Sequence, residues 1–318
     1  MRTSHFILNS SPRWPQSSAS FPPAFQPTGL ERPVNRVRET QSRMWPMARP
    51  TVPGLDYYSG WRIGASRDVD YLDYFETDGG NFALAVGDVV AGSEGGAPGA
   101  LLLSSLHAMV RSLDAGPAVR HAGTSPSNLL GDLVQAIHEM FYEVSPEGSY
   151  ATLFLARYDP VERRLDYCNA GHEAPVVLRQ SNGRWRAIPL EGGGPVVGVL
   201  RRSNYRQLSL RLQPGDVLAA YTAGLTETRN LRDEEWGYQR MVAAIEAAAE
   251  LPPREIVEQV LEEAGAFSAP APRANDMTLW LGRLDKALAA HVPLEAENTE
   301  SLEHLEGLET HEPAALAA

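Results

Sequence analysis

The sequence has a single cysteine, Cys168, among its 318 residues. One thiol cannot form a disulfide within the chain, so a disulfide framework is excluded and a reducing compartment is expected. Long apolar runs are also missing, since no stretch approaches the roughly 18 apolar residues that a membrane-spanning helix needs. The apolar run at residues 6–8 is too short for the core of a secretory signal. We therefore predict a cytoplasmic protein that does not enter a membrane.

Positive charge is scarce as well. Lys286 is the only lysine, and 28 basic residues stand against 40 acidic ones, which gives a net charge of −12. A general nucleic-acid-binding surface requires a positive field, so we expect no nucleic-acid partner. Hydrophobic residues make up 43% of the chain, enough for a substantial core. These properties indicate a globular protein whose partner is another protein.

The two ends of the chain differ in composition from its middle. Residues 1–53 are rich in Pro, Ser and Arg, contain only Glu31 and Glu39 as acids, and show no sustained apolar periodicity. We predict a disordered segment there; a transit peptide is the alternative. After His291 the chain carries seven glutamates and no lysine or arginine. We predict a disordered acidic tail over 285–318 and one folded domain over 54–284.

Within 54–284, short apolar alternations bounded by turn residues predict a series of strands, and longer apolar spacings predict helices. Strands are predicted within 54–75 and at 81–90, 150–158, 164–168, 176–179, 185–190, 205–212, 217–221 and 275–281. Helices are predicted at 101–113, 126–143, 241–249 and 254–264, and a polar loop is predicted at 222–230. Many short strands together with paired helices indicate a layered α+β domain.

Four motifs follow one another along this domain. They are Gly-Asp-Val at 87–89, Asn-Ala-Gly-His at 169–172, Tyr-Thr-Ala-Gly at 221–224, and Asn-Asp-Met-Thr at 275–278. Their order resembles that of the PPM-type metal-dependent protein phosphatases, in the branch named for stage II sporulation protein E. The resemblance covers roughly 54–284 and implies a four-layer α-β-β-α sandwich of two antiparallel sheets with a metal pair at one end.

The resemblance also implies a chemistry. In that family a water bridging two Mn²⁺ or Mg²⁺ ions attacks the phosphorus of a phosphoserine or phosphothreonine. The positions that match the family's metal site are Asp70, Asp88, Val89 and Asn275. Ala223 stands at a further position where the family has an Asp ligand, and Asn275 also replaces an Asp. Hard cations need charged oxygen ligands, so we expect one cation or none and weak turnover.

Two acids could replace the missing ligands. Asp276 is next to Asn275, but neighbouring strand residues point to opposite faces, so we expect its side chain to face away from the site. Glu227, in the loop after Ala223, is the less strained candidate. His172 is either a structural histidine or a site residue, and no second histidine lies at metal-ligand spacing.

Two functions remain open from the sequence. The first is a phosphatase that acts on a phosphorylated regulatory protein, such as an anti-sigma-factor antagonist, with a depleted metal site. The second is a catalytically inactive pseudophosphatase that binds a regulatory protein. The glycine-rich loop after Val89 has no Gly-Lys-Ser or Gly-Lys-Thr ending, which excludes a nucleotide-binding P-loop. The oligomeric state is open.

Overall fold

The computed structural model describes residues 32–46, 48–66, 68–77, 79–91, 96–115, 126–271 and 273–287. In these ranges two β-sheets pack face to face, and helices cover the outer face of each sheet. The predicted α+β sandwich with four α-β-β-α layers is confirmed. No helix in the described ranges is long and apolar enough to cross a membrane.

The main elements follow the predicted order closely. The helices are α1 (Arg32–Met44), α2 (Gly96–Arg111), α3 (Leu129–Val144), α4 (Ala223–Thr226), α5 (Gly237–Ala247) and α6 (Pro253–Ser268). The strands are β1 (Leu55–Arg62), β2 (Val69–Thr77), β3 (Asn81–Ala91), β4 (Ser149–Asp159), β5 (Arg164–Ala170), β6 (Val176–Ser181), β7 (Arg184–Pro189), β8 (Gly193–Gly194), β9 (Leu208–Arg211), β10 (Val217–Tyr221) and β11 (Met277–Leu284). Two differences concern the site: the strand signal within 54–75 is two strands, and the predicted polar loop contains α4.

Each sheet is built mainly from antiparallel neighbours. The first sheet has the order β1-β11-β10-β6-β7, and the second has the order β2-β3-β4-β5-β8, with β9 also paired to β5. The short β5–β8 pair is parallel. Consequently β1 and β2 are edge strands, and α1 packs beside β2 and against α2.

Strand β3 shows how the sequence separates the layers. Phe82, Leu84 and Val86 belong to the core between the two sheets, whereas Ala83 and Ala85 face the helical layer. Alternation with period two produces this division. Small side chains on the helical face allow α2 and α3 to pack closely on the sheet.

A glycine at 87 permits close pairing at the end of β3. A Cβ atom on Gly87 would lie 2.2 Å from the main-chain oxygen of Thr152 in β4. The next residue of β3 is Asp88, so this close contact lies directly beside one of the predicted metal ligands. Thr222, which follows β10, and Thr278, near the start of β11, meet at the same end of the sandwich.

The prediction of disorder over 1–53 is wrong for residues 32–46. Helix α1 occupies most of that range, and Val37 is 2% exposed in the core formed with β2 and α2. The sequence pattern missed this helix because it has few apolar residues, and its polar side chains Arg38 and Gln41 bond to distant parts of the domain. Residues 1–31 and 288–318, which include most of the predicted acidic tail, lie outside the described residues.

Candidate metal centre

Asp70 and Asp88 stand directly opposite each other in the β2–β3 pair. Opposed residues of an antiparallel pair carry their side chains on the same face, a few ångströms apart. That face is turned toward the other sheet, because Leu72 and Val86, two residues along each strand, lie in the inter-sheet core. Asp70 is buried, whereas 23% of the Asp88 side chain is exposed. The pair therefore offers one enclosed carboxylate and one that reaches solvent.

Threonine hydroxyls hold both carboxylates. Thr222 Oγ1 donates to Asp70 Oδ2 at 2.8 Å, and Thr278 Oγ1 donates to the same oxygen. Thr152, opposite Asp88 in β4, donates from Oγ1 to Asp88 Oδ2 at 2.9 Å. Hydrogen bonds of this kind orient the ligand groups of metal sites. The two carboxylates are thus positioned by residues from both sheets.

The charge around Asp70 is unbalanced. Burial raises the pKa of Asp70 well above its ordinary value, and the neighbouring carboxylates of Asp88 and Asp276 raise it further. The hydrogen bonds from Thr278 and Thr222 lower the pKa only in part. A cation bound at this position would favour the charged carboxylate and reverse the shift.

The Asn-Ala-Gly-His motif is a tight turn at the end of β5. Asn169 Oδ1 accepts a hydrogen bond from the main-chain N–H of His172 at 2.8 Å. Gly171 has φ of 66°, and a Cβ atom there would lie 2.7 Å from the main-chain nitrogen of Val196. Only glycine fits this conformation and this contact without strain. The turn directs the His172 side chain toward β4 and Asp88.

His172 completes a hydrogen-bonded group with Thr152 and Asp88. Its Nδ1 lies 2.9 Å from Thr152 Oγ1 and 3.3 Å from Asp88 Oδ2. The one hydroxyl proton of Thr152 goes to Asp88, so Nδ1 of His172 carries a proton and donates it to Thr152. Burial raises the pKa of Asp88, but the hydrogen bond and charge of His172 and the bonds from Thr152 and Asp70 bring it below its ordinary value.

The two substituted positions, Ala223 and Asn275, lie close together on the other sheet's side of the site. A Cβ atom on Gly224 would lie 1.9 Å from the main-chain oxygen of Asp276 and 2.9 Å from Cβ of Asn275. The Asn275 side chain is exposed, and Ala223 starts α4 immediately after Thr222. The loss of carboxylates is therefore concentrated in one half of the site.

The expectation that Asp276 faces away from the site is wrong. Asp276 is 4% exposed and has the same phase as Thr278, two residues later, whose hydroxyl bonds to Asp70. The strand alternation holds, but it places Asp276 inside and Asn275 outside. The Asp276 carboxylate accepts bonds from the Gly64 N–H at 2.8 Å and Gln41 Nε2 at 3.2 Å, and it forms an ion pair with Arg38.

Glu227 and Val89, two further predicted metal ligands, lie differently from the aspartates at the site. Glu227 is exposed at the end of α4, and burial, followed by the charges of Glu173, Glu235 and Asp88, raises its pKa. It is thus within electrostatic range of Asp88 but has no hydrogen bond to it. The Val89 side chain is buried in the helical-side core, so only its main-chain oxygen could bind a cation.

Within the described part of the chain, no three His, Cys, Asp or Glu side chains converge closely enough to hold a metal ion. The Asp70–Asp88 pair is the place where two predicted ligands meet. Asn275, Asp276 and Glu227 lie around it without joining it.

Residues 78–285 match the family model described as stage II sporulation protein E (SpoIIE). The match spans more than half of the chain. The chain belongs to the stage II sporulation protein E family. The resemblance predicted from the four motifs is confirmed.

Individual relatives of this SpoIIE-family chain are distant. The phosphoserine phosphatase RsbU of Bacillus subtilis is 27% identical over 160 residues, which cover 50% of this chain and 43% of RsbU. The chain spans less than half the length of RsbU and of two further curated relatives.

Solved structures support the fold. The RsbU and RsbW domains of Rv1364c from Mycobacterium tuberculosis are similar with a TM-score of 0.56 and 23% identity, covering 74% of this chain and 62% of that one. The catalytic domain of the serine/threonine phosphatase PstP, in complex with two manganese ions, is similar with a TM-score of 0.51 and 16% identity. The match covers 73% of this chain and 98% of the PstP chain. The SpoIIE-family chain therefore has the fold of these phosphatase domains.

Several residues around the SpoIIE-family site were not predicted to act there. Thr222 and Thr278 lie within the recognised motifs, so a signal for them was present in the sequence. Thr152 had no such signal, because it is one polar residue in an apolar strand. Arg38 and Gln41 had none either, since their contacts with Asp276 depend on the docking of α1.

Proposed function

We propose that this protein is a metal-dependent phosphoserine or phosphothreonine phosphatase of low turnover, whose site holds one Mn²⁺ or Mg²⁺ ion. The observation that carries the proposal is the opposed pair Asp70 and Asp88, held by hydroxyls from both sheets. The other half of the site has an alkyl side chain at Ala223 and an exposed amide at Asn275.

The donors present fit one divalent cation. Asp70 and Asp88 supply two charged oxygens, and the main-chain oxygen of Val89 and water complete an oxygen shell of the kind Mn²⁺ and Mg²⁺ prefer. The raised pKa of Asp70 supports this assignment, because burial and the Asp88 charge leave negative charge for a cation to neutralise. Two divalent cations would carry a total charge of +4, whereas the two opposed carboxylates supply a charge of −2. The site therefore does not fit a second cation.

The residues of the site have distinct tasks in this proposal. A cation held by these residues would supply a water of lowered pKa and would neutralise phosphate charge. Asp70 and Asp88 hold that cation at the solvent-facing end of the sandwich. Thr152, with His172 behind it, keeps the Asp88 carboxylate in one orientation. Ala223 and Asn275 supply no carboxylate, so only the Asp70–Asp88 half of the site would hold a cation, and we expect low turnover.

The substrate that we propose is a phosphorylated regulatory protein, such as an anti-sigma-factor antagonist. Two points support it. The family match, residues 78–285, includes Asp88, Ala223 and Asn275 of the site, and RsbU, a phosphoserine phosphatase by name, is similar over half of this chain. The net charge of −12 is consistent with a protein partner and not with a nucleic acid.

Calorimetric titration of the full chain with Mn²⁺, run beside hydrolysis of p-nitrophenyl phosphate, tests the proposal. We expect one binding site and slow hydrolysis that depends on the metal. Two sites with rapid turnover would contradict the low-turnover proposal and indicate that other side chains replace the lost ligands. No binding at all would leave the second candidate function.

That second candidate is a pseudophosphatase that binds a phosphoprotein without hydrolysing it. The ion pair between Arg38 and Asp276 favours it, because it engages the acid nearest to the depleted half. Changing Ala223→Asp together with Asn275→Asp separates the two candidates. If the wild type turns over slowly, the double variant should bind a second Mn²⁺ and hydrolyse faster; a pseudophosphatase should bind its partner equally well with and without the changes.

A further inference from the structure

Arginine is concentrated in one part of this acidic protein. Residues 174–215 contain seven arginines and one acidic residue, Glu191, whereas the whole chain has a net charge of −12. The seven are Arg179, Arg184, Arg186, Arg201, Arg202, Arg206 and Arg211. The stretch includes the strands from β6 to β9, so the pairing of these strands decides which of the side chains share one surface.

Arginines of β5, β6, β7 and β9 meet at one end of the sandwich. Arg164 stands opposite Arg211 in the β5–β9 pair, and Arg179 stands opposite Arg186 in the β6–β7 pair. Opposed residues of an antiparallel pair carry their side chains on the same face, a few ångströms apart. Arg179 Nη2 also donates to the main-chain oxygen of Arg211 at 3.0 Å, which joins the two sheets at this point.

Only part of this positive charge is balanced within the described chain. Arg164 pairs with the buried Asp166, and Arg179 pairs with the buried Asp216. Other arginines here are exposed and form no ion pair with any residue that the structure describes. They are Arg184, Arg186 and Arg211, which we call the arginine face. Like charges gathered without partners repel one another, so an anionic segment bound to this face would be favoured.

The acidic end of the chain begins beside the arginine face. A Cβ atom on Gly215 would lie 3.4 Å from Cγ of Lys286. The residue after Gly215 is Asp216, whose carboxylate holds Arg179. The described chain ends one residue after Lys286, and residues 288–318 contain seven glutamates and no lysine or arginine. The part of the sequence with the greatest excess of acids is therefore tethered next to unpaired arginines.

The tether is long enough to reach the arginine face. Strands β11 and β7 are three positions apart in their sheet, about 15 Å at the usual spacing of strands. The chain from Lys286 to Glu295, the first glutamate of the tail, can span roughly 30 Å when extended. Exposed ion pairs are weak singly, but a short tether gives the partners an effective concentration in the millimolar range.

We propose that the glutamate-rich segment 295–312 binds the arginine face of its own chain. The bound segment balances the unpaired charge on β7 and β9, and an acidic partner protein must displace it to reach this surface. The inference is independent of the proposed function, because the two sites lie at opposite ends of the sandwich. Arg164 begins β5 beside the arginine face, whereas His172 of the metal centre follows the end of β5.

A spin label on the tail of the full chain tests this contact. Cys168 is the only cysteine and is buried, so Ser301→Cys directs a nitroxide label to the tail. The signal to observe is the indole N–H of Trp185 in ¹⁵N-labelled protein, because Trp185 lies in β7 between the two arginines that this strand gives to the face. The signal is assigned with Trp185→Phe.

At low ionic strength the spin label should remove most of the intensity of the Trp185 signal. The signal of Trp61, in β1 at the opposite edge of the same sheet, should keep its intensity. Salt at about 1 M, where the Debye length is about 3 Å, should restore the Trp185 signal because it screens the ion pairs. An unaffected Trp185 signal, or an equal loss for both tryptophans, would overturn the proposal.

A matched pair of triple variants tests whether the arginine face is the surface involved. The first variant neutralises the whole face with Arg184→Gln, Arg186→Gln and Arg211→Gln, and it should abolish the loss of the Trp185 signal. The control variant changes exposed arginines elsewhere that form no ion pair with a described residue: Arg43→Gln, Arg62→Gln and Arg232→Gln. The control removes the same charge and should keep the loss. If both variants abolish it equally, the tail responds only to net charge and the assignment of the surface is wrong.

A mixed sample distinguishes the tail of the same chain from that of a second copy. In this sample the spin label is on chains of natural isotope content, and the ¹⁵N-labelled chains carry no spin label. The Trp185 signal should then keep its intensity, because each tail occupies its own arginine face. A loss of the signal in the mixture would show that the tail binds a second copy, and the proposal of binding within one chain would be wrong.

Discussion

Strand β2 carries two buried aspartates on its opposite faces, and their surroundings are opposite in kind. Asp73 faces the helical layer, where Arg111 of α2 donates to both of its carboxylate oxygens at 2.7 Å. His107 Nδ1 lies 3.3 Å from the same carboxylate. Asp70 faces the gap between the sheets. Its carboxylate accepts hydrogen bonds from the hydroxyls of Thr222 and Thr278 and lies opposite the carboxylate of Asp88.

The difference separates a buried acid whose charge is compensated from one whose charge is not. Asp73 has its positive partner inside the protein, so its burial is already compensated and it ties β2 to α2. Asp70 lacks such a partner, and its pKa is raised by burial and by the charges of Asp88 and Asp276. A buried carboxylate whose charge is left unbalanced in this way is a candidate for a functional site.

The largest expected effect is on cation binding when Asp88 is neutralised. Asp88→Asn should weaken Mn²⁺ binding by more than the roughly 10- to 100-fold that loss of a supporting residue costs. Its melting temperature without metal should fall slightly, because the charged Asp88 carboxylate, whose pKa is held below its ordinary value by His172 and Thr152, stabilises the folded state. Calorimetry and thermal unfolding check both points, with the exposed Asp56→Asn as the control. Retained Mn²⁺ affinity would place the cation elsewhere.

The second largest effect concerns Asp73, whose substitution should lower the stability of the fold and leave cation binding unchanged. Asp73→Asn should lower the free energy of unfolding by about 2 kcal/mol, less than for a fully buried ion pair because 36% of the Arg111 side chain is exposed. Its Mn²⁺ affinity should equal that of the wild type. Urea unfolding followed by circular dichroism measures the first quantity. A loss of Mn²⁺ binding in a folded Asp73→Asn protein would refute the division between the two faces.

A smaller effect is expected from the hydroxyls that orient Asp70. Thr278→Val removes a donor to Asp70 Oδ2 and should weaken Mn²⁺ binding by about 10-fold, as supporting residues of metal sites do. Thr77→Val, at the far end of β2, should have no effect on the affinity. Unchanged affinity in Thr278→Val would show that Thr222 alone suffices to orient the carboxylate.

The smallest effect is on the pH dependence of stability without metal. Because the pKa of Asp70 is raised in the folded state, its contribution to stability is complete below about 3.8 and is lost as pH rises through the raised value. Asp68 and Glu227 shift in the same direction, so Asp70→Asn is compared with the wild type to isolate Asp70.

Thermal unfolding in chelator from pH 4 upward should show the wild type losing a few degrees relative to Asp70→Asn. Added Mg²⁺ should remove this extra loss of melting temperature in the wild type, since a bound cation favours the charged carboxylate of Asp70. Parallel curves for the two proteins in chelator would mean that Asp70 is not protonated more readily in the folded state. Asp88, whose pKa is lowered, stabilises the folded state throughout this window and loses that contribution only at lower pH, so it adds no slope here.

Much of the fold followed from local patterns. The alternation in β3 and the apolar run of β10 predicted strands, and the motif order predicted the sandwich and the positions of Asp70 and Asp88. These predictions succeeded because the residues of a strand alternate regularly between its two faces, so the sequence pattern predicts which side chains share a face. The cytoplasmic location and the domain limit at 284 remain predictions, whereas α1 extends the folded part of the chain before the predicted limit at 54.

Other parts of the site could not be predicted in this way. Which of two adjacent residues, Asn275 or Asp276, faces the gap depends on how the residues just before β11 are oriented, and the prediction from strand alternation was wrong. The contact between His172 and Asp88 depends on β4 lying between β3 and β5. The helix α1 was missed because its stability comes from contacts with residues far away in the chain.

The sequence by itself determined the family, the layered architecture and the absence of carboxylates at Ala223 and Asn275, since these depend on residue identity and local periodicity. Only the tertiary structure decided that Asp276 faces inward and that Arg38 neutralises it. The physical reason is that a buried charge takes whichever partner the packing brings within hydrogen-bonding distance, and Arg38 and Asp276 are 238 residues apart in the chain.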